Sequence, residues 1–249
     1  MKYGIVGYGV VGRHMEQDIR RSGHECPMYD IKGIDTREDV NACDAVFVCV
    51  GTPQGADGQA DLSAIHDVFT WLRVPVAIVR STVPPGTTDR LPGHVVFCPE
   101  FIGEGVNPPY SAMRQPPFLI IGGKPEARER ARVAFAHLYN SECEFIYTDA
   151  VTAEVAKYAE NYFLALKVTW ANEMFDICQA VGADFGQMMG AVTHDYRIGR
   201  SHTHVYPDDR GWDGRCLPKD TAALLDAVGA DIAPLLAEVR RINRRQRGG

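Results

Sequence analysis

The chain has 249 residues, enough for one large domain or two small ones with a real core. Its 45% hydrophobic and 23% charged residues are ordinary for a soluble globular protein, and a formal net charge of −6 argues against general nucleic-acid binding. No apolar run approaches the roughly 18 residues needed to span a bilayer. The N-terminal segment lacks the form of a signal peptide, so a reducing cytoplasm is the expected location and no membrane partner is expected. The seven cysteines are odd in number, scattered and without a CxxC pair, which suggests neither a disulfide framework nor a zinc ribbon.

The first apolar run, "YGIVG", leads directly into "YGVVG", so Gly7, Gly9 and Gly12 stand in GxGxxG spacing between a strand and a helix. "CPMYD" follows and ends in Asp30. "AVFVCV" and "VAIVR" come next, each followed by a small polar residue, Thr52 and Thr82, with the helical stretch "LSAIHDVFTWL" between them. "VVFC", "FLIIGG", the helical "PEARERARVAFAHLY" and "EFIYT" complete the first part. Strand runs without polar alternation, spaced by crossovers, predict a parallel sheet covered on both faces. The fold class is therefore α/β, with a doubly wound Rossmann domain over residues 1–148.

From Asp149 the pattern changes. A stretch without Pro or Gly runs to Gly182, a C-cap, and predicts one helix of some 30 residues, about 45 Å long. Two shorter helices follow near residues 219–228 and 232–245. The Arg-rich end reads as a solvated helix terminus. Residues 149–249 thus form a small all-helical domain. The long helix carries Tyr158, Tyr162, Phe163, Leu166, Trp170 and Phe175, more apolar surface than a solvent-facing helix should hold, which predicts a homodimer.

The glycine spacing permits a tight turn, close approach of a pyrophosphate and close helix–strand packing, while the helix N-terminus offers amide donors to phosphates. Asp30 is positioned to bind ribose hydroxyls and would repel a 2′-phosphate, which favours NAD over NADP. Thr52 and Thr82 stand at strand ends, where ligands lie, but each also reads as a cap. Cys216, in "GWDGRCLPKD", admits three readings: structural cysteine, metal ligand or nucleophile. Pro218 marks a helix start just after it, and the helix dipole, Arg215 and Lys219 would lower its pKa. No second Cys or His lies at ligand spacing, and His202 and His204 read as loop surface, so no metal is expected. The nucleophile reading is favoured.

The blocks "VCVGTP", "RSTVPPGTTD", "PEFIGEG", "AKYAENYFLALKVTWANE" and "CLPKDT", in this order, resemble the UDP-glucose/GDP-mannose dehydrogenase family. The resemblance runs from residue 1 to about 245. It implies an NAD-dependent enzyme that oxidises the primary alcohol of a sugar nucleotide to a carboxylate. By that resemblance Cys216 is the nucleophile, Lys157 and Asn161 stabilise an oxyanion, Asp220 positions water or accepts a proton, and Glu104 assists thioester hydrolysis. It places Gly7, Tyr8, Gly9, Val10, Val11, Gly12, Asp30, Thr52, Thr82, Glu104 and Lys219 at the cofactor. It places Glu100, Phe101, Glu104, Lys157, Asn161, Arg197 and Gly214 at the sugar-nucleotide substrate, with Arg197 reaching a neighbouring subunit's substrate.

The chain also departs from the family. Arg210 replaces a Phe before the nucleophile and Asp213 replaces a glycine. "VYPDD" stands for the usual sugar loop, and the family's last nucleotide-holding domain is missing. The end "RRQRGG" reads more like a natural end than a cut through a helix, so two readings stand: a natural short form, of a compaction that would suit a phage or other small genome, and a fragment of a longer chain. The competing reading is a catalytically silent, dimeric NAD-binding module, a partner of a full-length dehydrogenase.

Overall fold

The computed structural model describes residues 1–55, 59–101 and 115–248. The chain divides into two compact units, Met1–Lys157 and Tyr158–Gly249.

In the first unit seven strands form one sheet: β1 (Tyr3–Val6), β2 (Met28–Tyr29), β3 (Ala45–Val48), β4 (Val76–Val79), β5 (Val95–Phe97), β6 (Phe118–Gly123) and β7 (Glu144–Thr148). Their order is β2-β1-β3-β4-β5-β6-β7. Neighbours run parallel except for β5 and β6, which pair antiparallel through Val96–Gly123 and Phe97–Gly122. Each strand run read from the sequence is a strand. The antiparallel pair departs from the expected parallel sheet, because strand direction leaves no mark on an apolar run.

The uniform burial of "YGIV", "AVFV" and "VAIV" follows from helices on both faces. Alternate residues point to opposite sides. Tyr3, Ile5, Phe47 and Ile78 pack against Met15 and Ile19 of α1 (Val10–Arg21) and Ala131 and Phe135 of α4 (Pro125–Ala136). Val6, Val46, Val48 and Val79 pack against Ile65, Val68 and Phe69 of α3 (Ser63–Trp71), Val40 of α2 (Arg37–Asn41), and Ala153. Each fully buried side chain of this size contributes about 1.5–3 kcal/mol. The connections leave β1 and β3 in opposite directions across the sheet, so their carboxyl ends form the topological switch point where such sheets bind ligands.

The long helix α5 (Ala150–Val181) ends at Gly182, whose φ of 74° lets the chain turn. The second unit continues with α6 (Phe185–Val192), α7 (Leu217–Val228) and α8 (Pro234–Gln246). Here Tyr162 and Leu166 pack with Ala165, Trp212 and Val239, while Trp170 and Phe175 pack with Ala171, Phe185 and Met189. Most aromatic residues counted as surplus surface are therefore used within the unit. Among the described residues no helix is long and apolar enough to cross a membrane.

Candidate active site

The glycine loop joins β1 to α1 in the first unit. Gly7 has φ 90°, and a Cβ added there would lie 2.7 Å from the Cys49 carbonyl carbon. A Cβ on Gly12 would lie 2.1 Å from the Gly7 carbonyl oxygen. Both positions thus require glycine because backbone packs on backbone. Gly9 differs: a Cβ there would meet nothing within 4 Å, which leaves the loop open on that side. Gly9 is also the N-cap of α1, which has no acidic residue in its first turn. The first amides of α1, Val10 and Val11 among them, have no carbonyl within the helix to bond, and they suit an anion.

Asp30 follows β2 directly and accepts the Tyr8 N–H at 2.8 Å and the Lys32 N–H at 3.0 Å. These bonds, the Tyr8 amide foremost, hold its carboxyl below the usual range, so the carboxylate stands charged beside the glycine loop. Beyond β3, the buried Thr52 hydroxyl donates to the Thr82 carbonyl at 2.7 Å, and Ser81 donates to the Val50 carbonyl at 2.7 Å. The two threonines named from the sequence are thus joined to each other at the ends of β3 and β4. An open pyrophosphate turn, helix amides and a fixed carboxylate at the next strand end are the features a dinucleotide needs.

Glu100 lies beyond β5. It is no surface carboxylate: it pairs with Arg80, itself only 4% exposed, and accepts the Phe101 N–H at 2.7 Å. Burial alone would lower the Arg80 pKa, but the Glu100 carboxylate reverses this and holds it above the ordinary value. Arg80 also donates to the Cys98 thiol at 2.9 Å. The buried Lys157 ammonium lies 4.8 Å from the centre of the Phe101 ring, a cation–π contact. Glu104 lies outside the described residues.

The second unit gathers the other catalytic candidates. Cys216 is the N-cap residue of α7, half-buried, with no side-chain capping bond. Pro218 stands in the first turn, and the Asp220 N–H bonds the Cys216 carbonyl at 2.9 Å. The Asp220 carboxylate, 2% exposed, accepts from Asn161 Nδ2 at 2.5 Å and pairs with Lys219 Nζ. Asn161 and Asp220, 59 positions apart in sequence, thus form one buried pair beside the cysteine's helix turn. Gly214 is exposed, and Arg197 is spent on its neighbour Asp195 with bonds of 3.0 and 3.1 Å. The other six cysteines are buried. Burial pushes the thiols of Cys26, Cys43, Cys98 and Cys143 up to about 11 and that of Cys49 to about 12.

The unusual residues before Cys216 make contacts of their own. Arg210 donates to Asn172 Oδ1 at 2.6 Å and Asp176 Oδ1 at 2.9 Å, and lies 4.8 Å from the Phe175 ring centre. Asp213 pairs with Arg247 at 3.0 Å. The Trp212 N–H donates to Asn243 Oδ1 at 2.7 Å, Asn243 Nδ2 donates back to the Trp212 carbonyl at 2.9 Å, and the indole N–H reaches Thr169 Oγ1 at 2.9 Å. Sequence reading missed Asn243, Asn172 and Arg80. A polar side chain that serves distant backbone carries no signature of its spacing.

The fold and these loops define a dinucleotide-binding dehydrogenase with a cysteine at a helix N-terminus. The chain belongs to the UDP-glucose/GDP-mannose dehydrogenase family: residues 32–142 match its NAD binding domain and residues 151–245 its central domain. NAD is the cofactor of that domain. A putative UDP-glucose 6-dehydrogenase, YtcA of Bacillus subtilis, is 30% identical over 298 aligned positions, covering 100% of this chain and 68% of its own. UDP-glucose 6-dehydrogenase of Rickettsia typhi is 34% identical over 208 positions, 76% of this chain and 46% of that protein. Among solved structures, a UDP-glucose dehydrogenase from the archaeon Pyrobaculum islandicum superposes with a TM-score of 0.83 at 26% identity, covering 98% of this chain and 68% of that one. This chain thus spans about half to two thirds of these relatives' length.

Proposed function

We propose that the chain is an NAD-dependent dehydrogenase that oxidises the primary alcohol of a nucleotide sugar, UDP-glucose or a close analogue, to the carboxylate through Cys216. Bound NAD supplies the hydride acceptor for each of two oxidations. The chain's own residues do the rest. The Cys216 thiolate adds to the aldehyde carbon left by the first oxidation, forming a thiohemiacetal; loss of a second hydride leaves a thioester, and water releases the acid and restores the thiolate. Lys157 and Asn161, one turn apart on α5, carry donors for the oxyanion formed at each addition. Asp220 accepts the proton of the attacking water. Asp30 selects NAD over NADP, and the helices of residues 149–249 form a homodimer.

The observation that carries this reading is the buried Asn161–Asp220 pair beside the turn that begins at Cys216, in a chain of this family. Each is a residue the chemistry needs, and each stays polar at 5% and 2% exposure, where a buried polar side chain is retained only with a partner. The test is NADH formation by pure protein offered a panel of UDP- and GDP-sugars, with two NADH expected per acid. Absence of turnover with every donor, alone or with a separately encoded partner, would leave a silent NAD-binding module instead.

A further inference from the structure

We propose that Glu154 is a positioning residue of the cofactor site, whose carboxylate holds the loop of residues 82–88 in its binding shape. The inference rests on the NAD site assigned above. Glu154 lies in the first turns of α5 and is 0% exposed. Its two oxygens serve one backbone donor each: the Gly86 N–H reaches Oε2 at 2.5 Å and the Thr88 N–H reaches Oε1 at 2.7 Å. The far end of the same loop is tied down by Thr52, whose hydroxyl donates to the Thr82 carbonyl at 2.7 Å. Between these anchors the Thr87 hydroxyl closes on the Pro84 carbonyl at 2.6 Å. The loop that carries Thr82 is therefore fixed at one end by β3 and at the other by Glu154.

The chemistry asks for a carboxylate. A glutamine of the same shape has one acceptor oxygen and one amide nitrogen, so one of the two N–H groups would face a donor. A protonated acid is a milder case, since its hydroxyl oxygen carries a donor and is a weaker acceptor than a carboxylate oxygen. Burial foremost raises the Glu154 pKa, and the nearby Asp89 carboxylate acts in the same direction, while the hydrogen bonds from Thr88 and Gly86 oppose them. On acidification the second acceptor is therefore weakened at a pH above the ordinary 4.5, whereas Asp30, whose pKa is lowered, keeps its charge there. The same raised pKa gives the opposite sign for stability: the contribution of this group is full below its unfolded value and declines as pH rises through its folded value. Lys157 follows one turn later on α5, so the helix that presents this lysine also sets the loop.

Two measurements on Glu154→Gln test the proposal. Without cofactor, amide hydrogen exchange at Gly86 or Thr88 should accelerate by about tenfold or more, the effect of one lost hydrogen bond. In a fluorescence titration the NADH dissociation constant should rise by about tenfold, and its increase on acidification of the parent protein should vanish in the variant. Glu154→Asp, which keeps both acceptors on a shorter arm, should fall between them and covers the case in which the glutamine variant does not fold. Unchanged exchange at both amides would overturn the clamp. Faster exchange with unchanged NADH affinity would overturn its role at the cofactor. A parent protein that binds no NADH, with exchange still altered by the substitution, would refute the NAD site while leaving the clamp.

Discussion

Replacing Asn243 by Ala should destabilise the second unit and loosen the turn that carries Cys216. Asn243 is 8% exposed, and both of its polar atoms bond the backbone of Trp212, at 2.7 and 2.9 Å. Alanine leaves that N–H and carbonyl without these partners in a buried setting, at about 1–3 kcal/mol each, or about 2–6 kcal/mol together. Water entering the vacated space would offset part of this, which favours the lower end. Urea unfolding followed by tryptophan fluorescence should therefore show a loss of about 2–3 kcal/mol with little change in slope. Trp212 lies four positions before Cys216, so iodoacetamide should also react with Cys216 at a changed rate in the folded variant. A loss below about 0.5 kcal/mol, the range of ordinary surface substitutions, together with unchanged alkylation, would refute the reasoning.

Cys216→Ser should abolish release of the acid while NADH affinity stays within about twofold, because a hydroxyl is a far weaker nucleophile at neutral pH; full acid production would make the cysteine structural. In the parent protein, iodoacetamide should label Cys216 ahead of the buried thiols, with an apparent pKa below the free-thiol value of about 8.5. Asp30→Ala should weaken NAD binding and narrow the preference over NADP, which paired titrations would read, an unchanged ratio removing that assignment. Asp30 also bears on acid stability: its pKa is lowered, so its contribution is present above 3.8 and lost as pH falls through the folded value, and acid unfolding of the variant should lack that component. Light scattering at micromolar concentration should give a dimer, with Val155 (43% exposed) and Phe163 (58% exposed) on α5 as contacts, and Phe163→Glu should shift the mass toward the monomer.

What could be read from the sequence was what repeats along the chain or is constrained locally. Seven apolar runs became seven strands because a sheet covered on both faces demands apolar residues at successive positions. The glycine loop was legible because only glycine fits where backbone meets backbone, at Gly7 and Gly12. The long helix was legible from the absence of Pro and Gly up to Gly182. Short elements were not: α2, with its Thr36–Asp39 capping box, and α6, with two glycines in "FGQMMGAV", are too brief to show a period. The antiparallel direction of β6 was equally invisible. Only tertiary structure decided that Asn161 meets Asp220, that Arg80 pairs with Glu100, that Glu154 serves two amides of a distant loop, and that Trp212 is held by Asn243. It also decided that Tyr162, Leu166, Trp170 and Phe175 spend most of their apolar surface within the second unit. The physical reason is common to all of these. Local propensity and periodicity are properties of neighbours in the chain, whereas a buried polar group is satisfied by whatever donor or acceptor the fold brings to it, at any separation in sequence.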